Sequence, residues 1–562
     1  MVYNVATMYI ERTKSKVKDK VYQQILLRES YREPGAPRSK VKKRTLLNLT
    51  HCKPNEIKAL QVALKYKNDP EKLTKLLDTE IEQRQGVSIG AVWVLYHLIQ
   101  DSGLIKVLGK SREAMLCIWM IMARLIDQGS RLSAVRLAEE HGICELLGLD
   151  SFNENDLYNA LDWLCDNQAV IEQKLFKKSY GKEKPSLFLY DVTSSYLEGQ
   201  ENELADWGYN RDKKRGKKQV VIGLLCDDQG SPVSIRVFKG NTLDFKTVGD
   251  QIKKVAEEFG CQQVTMVGDR GMIKSGQIED LGKAGFNYIT AITKSQIRSM
   301  IKKKIIQLGL FDEKVCEVEH SGVRYILRRN PIRAAELARS RRERIDKAIR
   351  YAQQQNQYLA EHPKADQHVA IRRVWEKERR LKVSDFLHTT ASDRVITVKV
   401  YEEYLSEVAE LDGCYVLKTD LAADTVSTET IHDRYKDLAQ VETAFRTMKT
   451  GHLEMRPIYV RKESRTRGHA FVVMLAYRLS LQLKRAWQNL DITVEEGIKR
   501  LSTHCTIENL VNGQVSFLSV PAPRQSISDL YDALNINPPV ALPKQSAIVA
   551  TKTKLSKRRK KK

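Results

Sequence analysis

Five short apolar runs follow one another between Ser186 and Ile292, and they restrict this part of the chain to a sheet. They are SLFLYDVTS, QVVIGLLCD, PVSIRVFK, QVTMVGD and NYITAI. Each is short and rich in the β-branched and aromatic types that suit a pleated, half-buried surface. Helical segments interrupt them only late: TVGDQIKKVAEEFG after the third run and SGQIEDLGKAG after the fourth. Three strands in a row, then strands alternating with helices, predict an α/β fold with a mixed sheet and covering helices. The sheet pattern resumes at DGCYVLKTD, followed by the helical segments HDRYKDLAQVETAFRTMKT and GHAFVVMLAYRLSLQL.

The intervening stretch, residues 296–410, reads as an insertion into the sheet domain. It contains two strand-like segments, CEVEHSGVRYILRR and RVITVKVYEEY, around a long charged helix, ELARSRRERIDKAIRYAQQQNQYLAEH. That helix is either a solvated face laced with i,i+4 ion pairs or an arm that faces DNA. The sheet domain would then fall in two parts, 181–295 and 411–485. Upstream, residues 1–50 predict two strands around the turn Pro34-Gly35-Ala36-Pro37. Residues 51–180 predict helices, by apolar spacing of three and four, for DNA binding or dimerisation. Asn153 or Asn155 is placed to cap the last of them. Ser130–Leu147 carries a weak helix-turn-helix pattern, more simply read as packed helices. Residues 486–545 read as a helical C-terminal region and 546–562 as a disordered basic tail.

Charge narrows the partner. The chain of 562 residues has 94 Lys+Arg against 70 Asp+Glu, a formal charge of +24. Such a surface attracts polyanions, of which nucleic acid is the commonest. The nine cysteines are scattered without a C-x-x-C pair, which predicts reduced, buried thiols in a cytoplasmic protein. The first residues show no secretory pattern. The most apolar run, AMLCIWMIMARLI, is broken by Arg124, so no membrane span is expected.

Three acids stand out against this background. Asp191 ends the run SLFLY, and Asp269 ends QVTMV after Gly268. Taken singly, each reads as a turn former or a helix cap. Glu442 lies within a helix. Tyr435, Glu442 and Lys449 are seven apart and share a stripe, with Arg446 four residues beyond Glu442. Leu438, Val441, Phe445 and Met448 form the adjoining apolar stripe. Glu442 is therefore either half of an ion pair with Arg446 or a metal carboxylate flanked by phosphate-binding cations. Two unit charges about 4 Å apart repel by about 4 kcal/mol at an effective dielectric of about 20. Clustered carboxylates thus need a cation or a shifted pKa, and hard oxygen ligands select Mg2+ or Mn2+.

Tyr435-x-x-Leu438-x-x-x-Glu442-x-x-x-x-x-x-Lys449 resembles the Tyr-Arg-Glu-Lys signature of bacterial insertion-sequence transposases of the Asp-Asp-Glu type. FLYDVTSSY, GYNRD, KQVVIGLL, VFKGNTLD, VGDRGM and LEMRPIYV resemble the same family in order. The resemblance implies a ribonuclease H-like catalytic domain in which Asp191, Asp269 and Glu442 bind two divalent ions. It implies cleavage at transposon ends and strand transfer into target DNA, by a homodimer acting at the nucleoid. It also implies phosphate contacts from Tyr435 and Lys449. The signature's Arg is replaced by Leu438, which suits the core stripe, so Arg434 or Arg446 would supply that contact. Arg270, Lys217 and Lys218 read equally as DNA contacts or as solvated charges. The alternatives are a metal nuclease without strand transfer and a catalytically inactive DNA-binding protein.

Overall fold

The apolar runs form strands, and their order in the sheet follows from which connections are long enough to cross over. The computed structural model describes residues 7–17, 20–31, 41–67, 69, 81–199, 201–311, 315–511 and 514–542. Contacts divide the chain into two units.

The smaller unit is drawn from Met1–Ser88, Cys505–Pro523 and Pro539–Ser546. β1 (Thr7–Val17), β2 (Lys20–Tyr31) and β3 (Lys42–Asn48) form an antiparallel three-stranded sheet. The two-strand expectation thus gains β1, while the Pro-Gly-Ala-Pro turn lies outside the described residues. After α1 (Pro54–Lys65), β4 (Ile81–Ser88) pairs with Cys505–Val511 in a second sheet with Gln514–Ser519 and Ala541–Leu542. Residues 486–545 were expected to be helical and are mixed instead. The missed signal is Asn512-Gly513 between the two strands, the dipeptide favoured in tight hairpins. The tail from 546 onward lies outside the described residues.

The larger unit begins with helices α2 (Gly90–Asp101), α3 (Arg112–Ile126), α4 (Arg131–Glu140), α5 (Glu154–Asp166) and α6 (Gln168–Tyr180). Asn153 caps α5, accepting from the amides of Asn155 and Asp156, while Asp156 accepts from the Asn153 amide. The helix after α4, Ile143–Leu147, has five residues, three of them buried, which leaves no second helix to enter a DNA groove. Cys117, Cys144, Cys226 and Cys261 are buried free thiols. No described helix is long and apolar enough to cross a membrane.

Next come β5 (Leu187–Tyr196), β6 (Gln219–Asp227), β7 (Pro232–Phe238), β8 (Thr265–Gly268) and β9 (Asn287–Ala291). The hairpin-linked strands β5, β6 and β7 pair antiparallel. β5, β8 and β9 pair parallel, because a helical segment separates each from the next. β10 (Cys316–His320) and β11 (Val323–Arg329) extend this same sheet, whose order is β10-β11-β14-β9-β8-β5-β6-β7, with β14 at Cys414–Thr419. Part of the stretch assigned to an insertion, 296–410, therefore belongs to the sheet. What leaves it is Pro331–Glu410, between the adjacent antiparallel strands β11 and β14. The excursion departs and returns at one point, where the Asn330 amide donates to the Gly413 carbonyl at 2.9 Å. Gly413 has φ +73°, and a Cβ there would meet the Asn330 carbonyl oxygen at 2.3 Å, so glycine is required at the closure.

The excursion holds α7 (Pro331–Glu361), α8 (Gln367–Leu381) and a hairpin of β12 (Leu387–Ser392) with β13 (Val395–Val400). The charged helix α7 has one buried stripe, Arg341, Ile345, Ala348, Ala352 and Leu359. It is thus amphipathic rather than solvated all round. Arg341 donates to both carboxylate oxygens of Asp412 at 2.7 and 2.6 Å, fixing α7 to the edge of the sheet.

After β14 come α9 (Thr428–Lys436), α10 (Leu438–Lys449) and the buried helix α11 (Glu463–Ala486). One face of the sheet packs against Phe176 of α6, whose ring stacks on Phe259 at 4.2 Å. A buried polar network joins α6 to β7. Glu172 accepts from Gln168, from the Ser234 hydroxyl at 3.0 Å and from the Ile235 amide at 3.2 Å, and it is ion-paired with the buried Lys254. Removing one partner of a buried, hydrogen-bonded pair strands the other charge. Glu172→Ala is therefore expected to destabilise the larger unit by about 3–5 kcal/mol, seen by calorimetry as a lowered melting midpoint. The double change Glu172→Leu with Lys254→Met should cost clearly less than Glu172→Ala alone.

Candidate active site

The parallel pairing of β5 with β8 sets Tyr190 opposite Gly268, so the next residue of each, Asp191 and Asp269, emerges at the same edge of the sheet. Space there is tight: a Cβ on Gly268 would stand 3.1 Å from Ile273. α10 packs across β5 and brings Glu442 to the same place. Its buried side is Leu438, Val441, Ala444, Phe445 and Met448, the expected apolar stripe, and Glu442 itself is exposed. Leu438, at the position of the signature's Arg, is core.

Asp191, Asp269 and Glu442 line one cavity of about 430 Å³, with Arg211, Asp212, Asp244, Arg446, Lys449 and Arg456 among its other walls. The charges fall into two groups. Asp244 accepts twice from Arg211, at 2.7 and 2.6 Å. Asp212, whose side chain is 1% exposed, accepts from Lys449 Nζ at 2.7 Å, from the Tyr196 amide at 3.2 Å and from Arg456 Nη1. These two acids are neutralised by cations of the chain. Asp191, Asp269 and Glu442 have no basic side chain in ion-pair contact among the described residues. Asp269 accepts from the Arg270 amide at 2.8 Å and from the Tyr435 hydroxyl at 3.2 Å.

The electrostatics follow. Burial pushes the Asp191 carboxyl up to about 7, and the charges of Asp269 and Glu442 push the same way, against the Val192 amide and Arg211. Burial, then Asp269, raises the Tyr435 hydroxyl, so it stays a donor. Burial lowers Lys449 and its contact with Asp212 opposes this. The three unpaired acids form an all-oxygen donor set suited to a hard divalent cation. Among the described residues no three His, Cys, Asp or Glu side chains are gathered tightly enough to grip an ion as they stand. The fit therefore rests on donor chemistry and on the missing counter-charge.

The expected DNA contacts divide. Arg446 and Lys449 line the cavity, and Lys449 is buried, donating also to Thr193 at 3.0 Å. Arg270 is exposed beside Asp269. Arg434 turns away to Asp228 and Asp437, at 3.9 and 4.0 Å. Lys217 pairs with Glu198, and neither it nor Lys218 lines the cavity. The single stripe through Tyr435, Glu442 and Lys449 is interrupted, because Asp437 ends α9 and starts α10. Its carboxylate accepts from the Gln440 side-chain amide at 3.2 Å, and its carbonyl accepts from the Gln440 backbone amide at 2.9 Å. Tyr435 reaches the site through Asp269. Asp212, Asp244, Arg211 and Arg456 were not singled out in the sequence, although GYNRD, NTLD and LEMRPIYV contain them.

A model of the transposase DDE domain matches residues 182–479, more than half of the chain. A model of the IS1634 family transposase N-terminal domain matches residues 10–75. None of the curated proteins compared with the chain matches it. Among solved structures, a cryo-EM structure of the piggyBac transposase synaptic complex with hairpin DNA is similar over 70% of this chain and 70% of that one. The identity is 7% and the TM-score 0.35.

The raised Asp191 carboxyl has a consequence for stability. The folded state holds its proton up to about pH 7 while the unfolded chain loses it near 3.8, so wild-type stability falls as pH rises across that window. Asparagine carries no such penalty. In EDTA at about pH 8, Asp191→Asn should be more stable than wild type by on the order of 1–4 kcal/mol, the gap closing as pH falls toward about 4. Unfolding midpoints across pH measure this, and a pH-independent gap would contradict it.

Proposed function

The chain belongs to the insertion-sequence transposases that carry a DDE domain, and on that premise we propose that Asp191, Asp269 and Glu442 hold two divalent ions, Mg2+ or Mn2+, for cleavage at transposon ends and strand transfer into target DNA. The observation that carries this reading is the division of charge in the cavity: Asp212 and Asp244 are paired within the protein, and the three motif acids are not. When bound, such ions supply Lewis acidity to a phosphodiester, activating a water or a 3′-hydroxyl and steadying the leaving oxygen.

The chain's own groups hold the reacting strand. Arg446, exposed on the cavity wall, takes the phosphate contact that the signature gives to the residue replaced by Leu438. Lys449 is clamped by Asp212 and Thr193, so its charge is presented at a fixed place. Tyr435 orients Asp269 through its hydroxyl. Arg270 is assigned to DNA just outside the cavity. The run β7-β6-β5-β8-β9, in which β6 alone is antiparallel, supports a ribonuclease H-like catalytic domain with Pro331–Glu410 as its insertion. The same reading makes the active species a homodimer on inverted-repeat ends, at the nucleoid in the cytoplasm.

In Mg2+, Asp191→Asn and Glu442→Gln are each expected to reduce cleavage of a donor plasmid and joining of a pre-cut 3′ end by about a thousandfold or more. DNA binding in EDTA should be retained. Undiminished cleavage by either variant would refute the assignment. Wild-type hydrolysis without joining of the pre-cut end would make the protein a nuclease.

A further inference from the structure

A second cavity, of about 390 Å³, lies beside the first and shares Arg456 with it. Its inner wall carries two arginines that the catalytic reading does not use. Arg124, 4% exposed, donates to the carbonyls of Gln128 and Gly129 at 2.7 and 3.2 Å, and its Nε has no partner in the structure. Arg131, 7% exposed, donates to the Met120 sulfur. Neither has a carboxylate in ion-pair contact among the described residues. The acid on the cavity wall, Glu454, is exposed, and nearby Asp127 already accepts from Ser133 at 2.6 Å. His469, buried on the same wall, is held neutral by burial and by the two arginines, so it adds no charge.

Burial lowers both guanidiniums, to about 9 for Arg124 and about 10 for Arg131, so both still carry charge near neutral pH, where an uncompensated buried charge is unfavourable. Two of them on one cavity wall mark a place that lacks its anion. The N-terminus of α4 adds to this, because its cap Ser130 and first residue Arg131 both line the cavity. The cavity runs outward to Ser130, Glu454 and Tyr459, which are exposed.

We propose that this second cavity is an anion site that takes a backbone phosphate of the DNA strand passing through the active site. Arg124 and Arg131 would meet the phosphate, and Arg456, anchored by Asp212, would form the step between the two cavities. The DNA assignment rests on the function proposed above, whereas the anion site itself does not. The chemistry suits a phosphate oxygen, for which arginine offers planar paired donors.

The test uses the full-length protein in EDTA, so that catalysis plays no part. Inorganic phosphate is titrated against chloride at matched ionic strength, and melting temperature is recorded. Phosphate should raise it for wild type and for Arg131→Lys, and Arg131→Gln should lose most of the rise. Binding is then measured for duplexes of the transposon end that carry a single neutral methylphosphonate at successive positions. One position next to the scissile phosphate should weaken wild-type binding by about tenfold and leave Arg131→Gln unaffected. No response of wild type to phosphate would overturn the proposal without touching the three acids. A phosphate response with no discriminating methylphosphonate would leave a free-anion site and overturn the DNA assignment. Should Arg131→Gln fail to fold, the wild-type phosphate response and methylphosphonate scan still decide both points.

Discussion

A parallel strand pair with Tyr190 opposite Gly268 fixes where the following residue of each strand emerges, and the rest of the site is built around that register. A slip of one residue would turn Asp191 or Asp269 to the other face of the sheet. The parallel pairing itself follows from the helical segment between β7 and β8, because parallel neighbours need a crossover. The buried strand face seats α6 and the helical segment on one side. α10 brings Glu442 to the strand ends because its apolar stripe has nowhere else to be buried.

Charge pairing then separates frame from function. Acids and bases that pair inside the protein, Asp212 with Lys449 and Arg456, Asp244 with Arg211, and Asp412 with Arg341, hold elements far apart in sequence in one arrangement. Two neighbouring cavities hold charges of opposite sign that no ion pair among the described residues compensates. One has three carboxylates without cations, and the other has two guanidiniums without anions. Burial makes the unpaired charges of Asp191, Arg124 and Arg131 costly, and the proposed metal and anion would offset that cost.

Much of this was legible in the sequence for a simple reason: strands and amphipathic helices announce themselves over a few residues. The runs around Asp191 and Asp269 read as strands, and the α10 stripe as a helix with Glu442 at the edge of its core face. Asp191 and Asp269 each looked like ordinary turn residues. Only their order with the Tyr435 to Lys449 signature gave them meaning. What was missed depends on distance along the chain. Asp212 sits in the basic loop GYNRDKKRGKK and looks solvated, yet Arg456, 244 residues later, helps bury it. β10 and β11 read as strands, but nothing local says that they join the main sheet through β14. Arg124 broke an apolar run in a way that excluded a membrane span. Its role on a cavity wall needed Arg131, Glu454 and His469 brought in from three other segments.

Divalent ions bound where Asp191, Asp269 and Glu442 converge can be located by the cuts they make in the chain. Fe2+ replacing Mg2+, with ascorbate and peroxide, cleaves a polypeptide beside the bound ion, so the fragment ends report its position directly. Cuts are expected next to residues 191, 269 and 442 in one molecule, suppressed by excess Mg2+ and lost in Asp269→Asn. Cuts clustered elsewhere, or an unchanged pattern in Asp269→Asn, would contradict it.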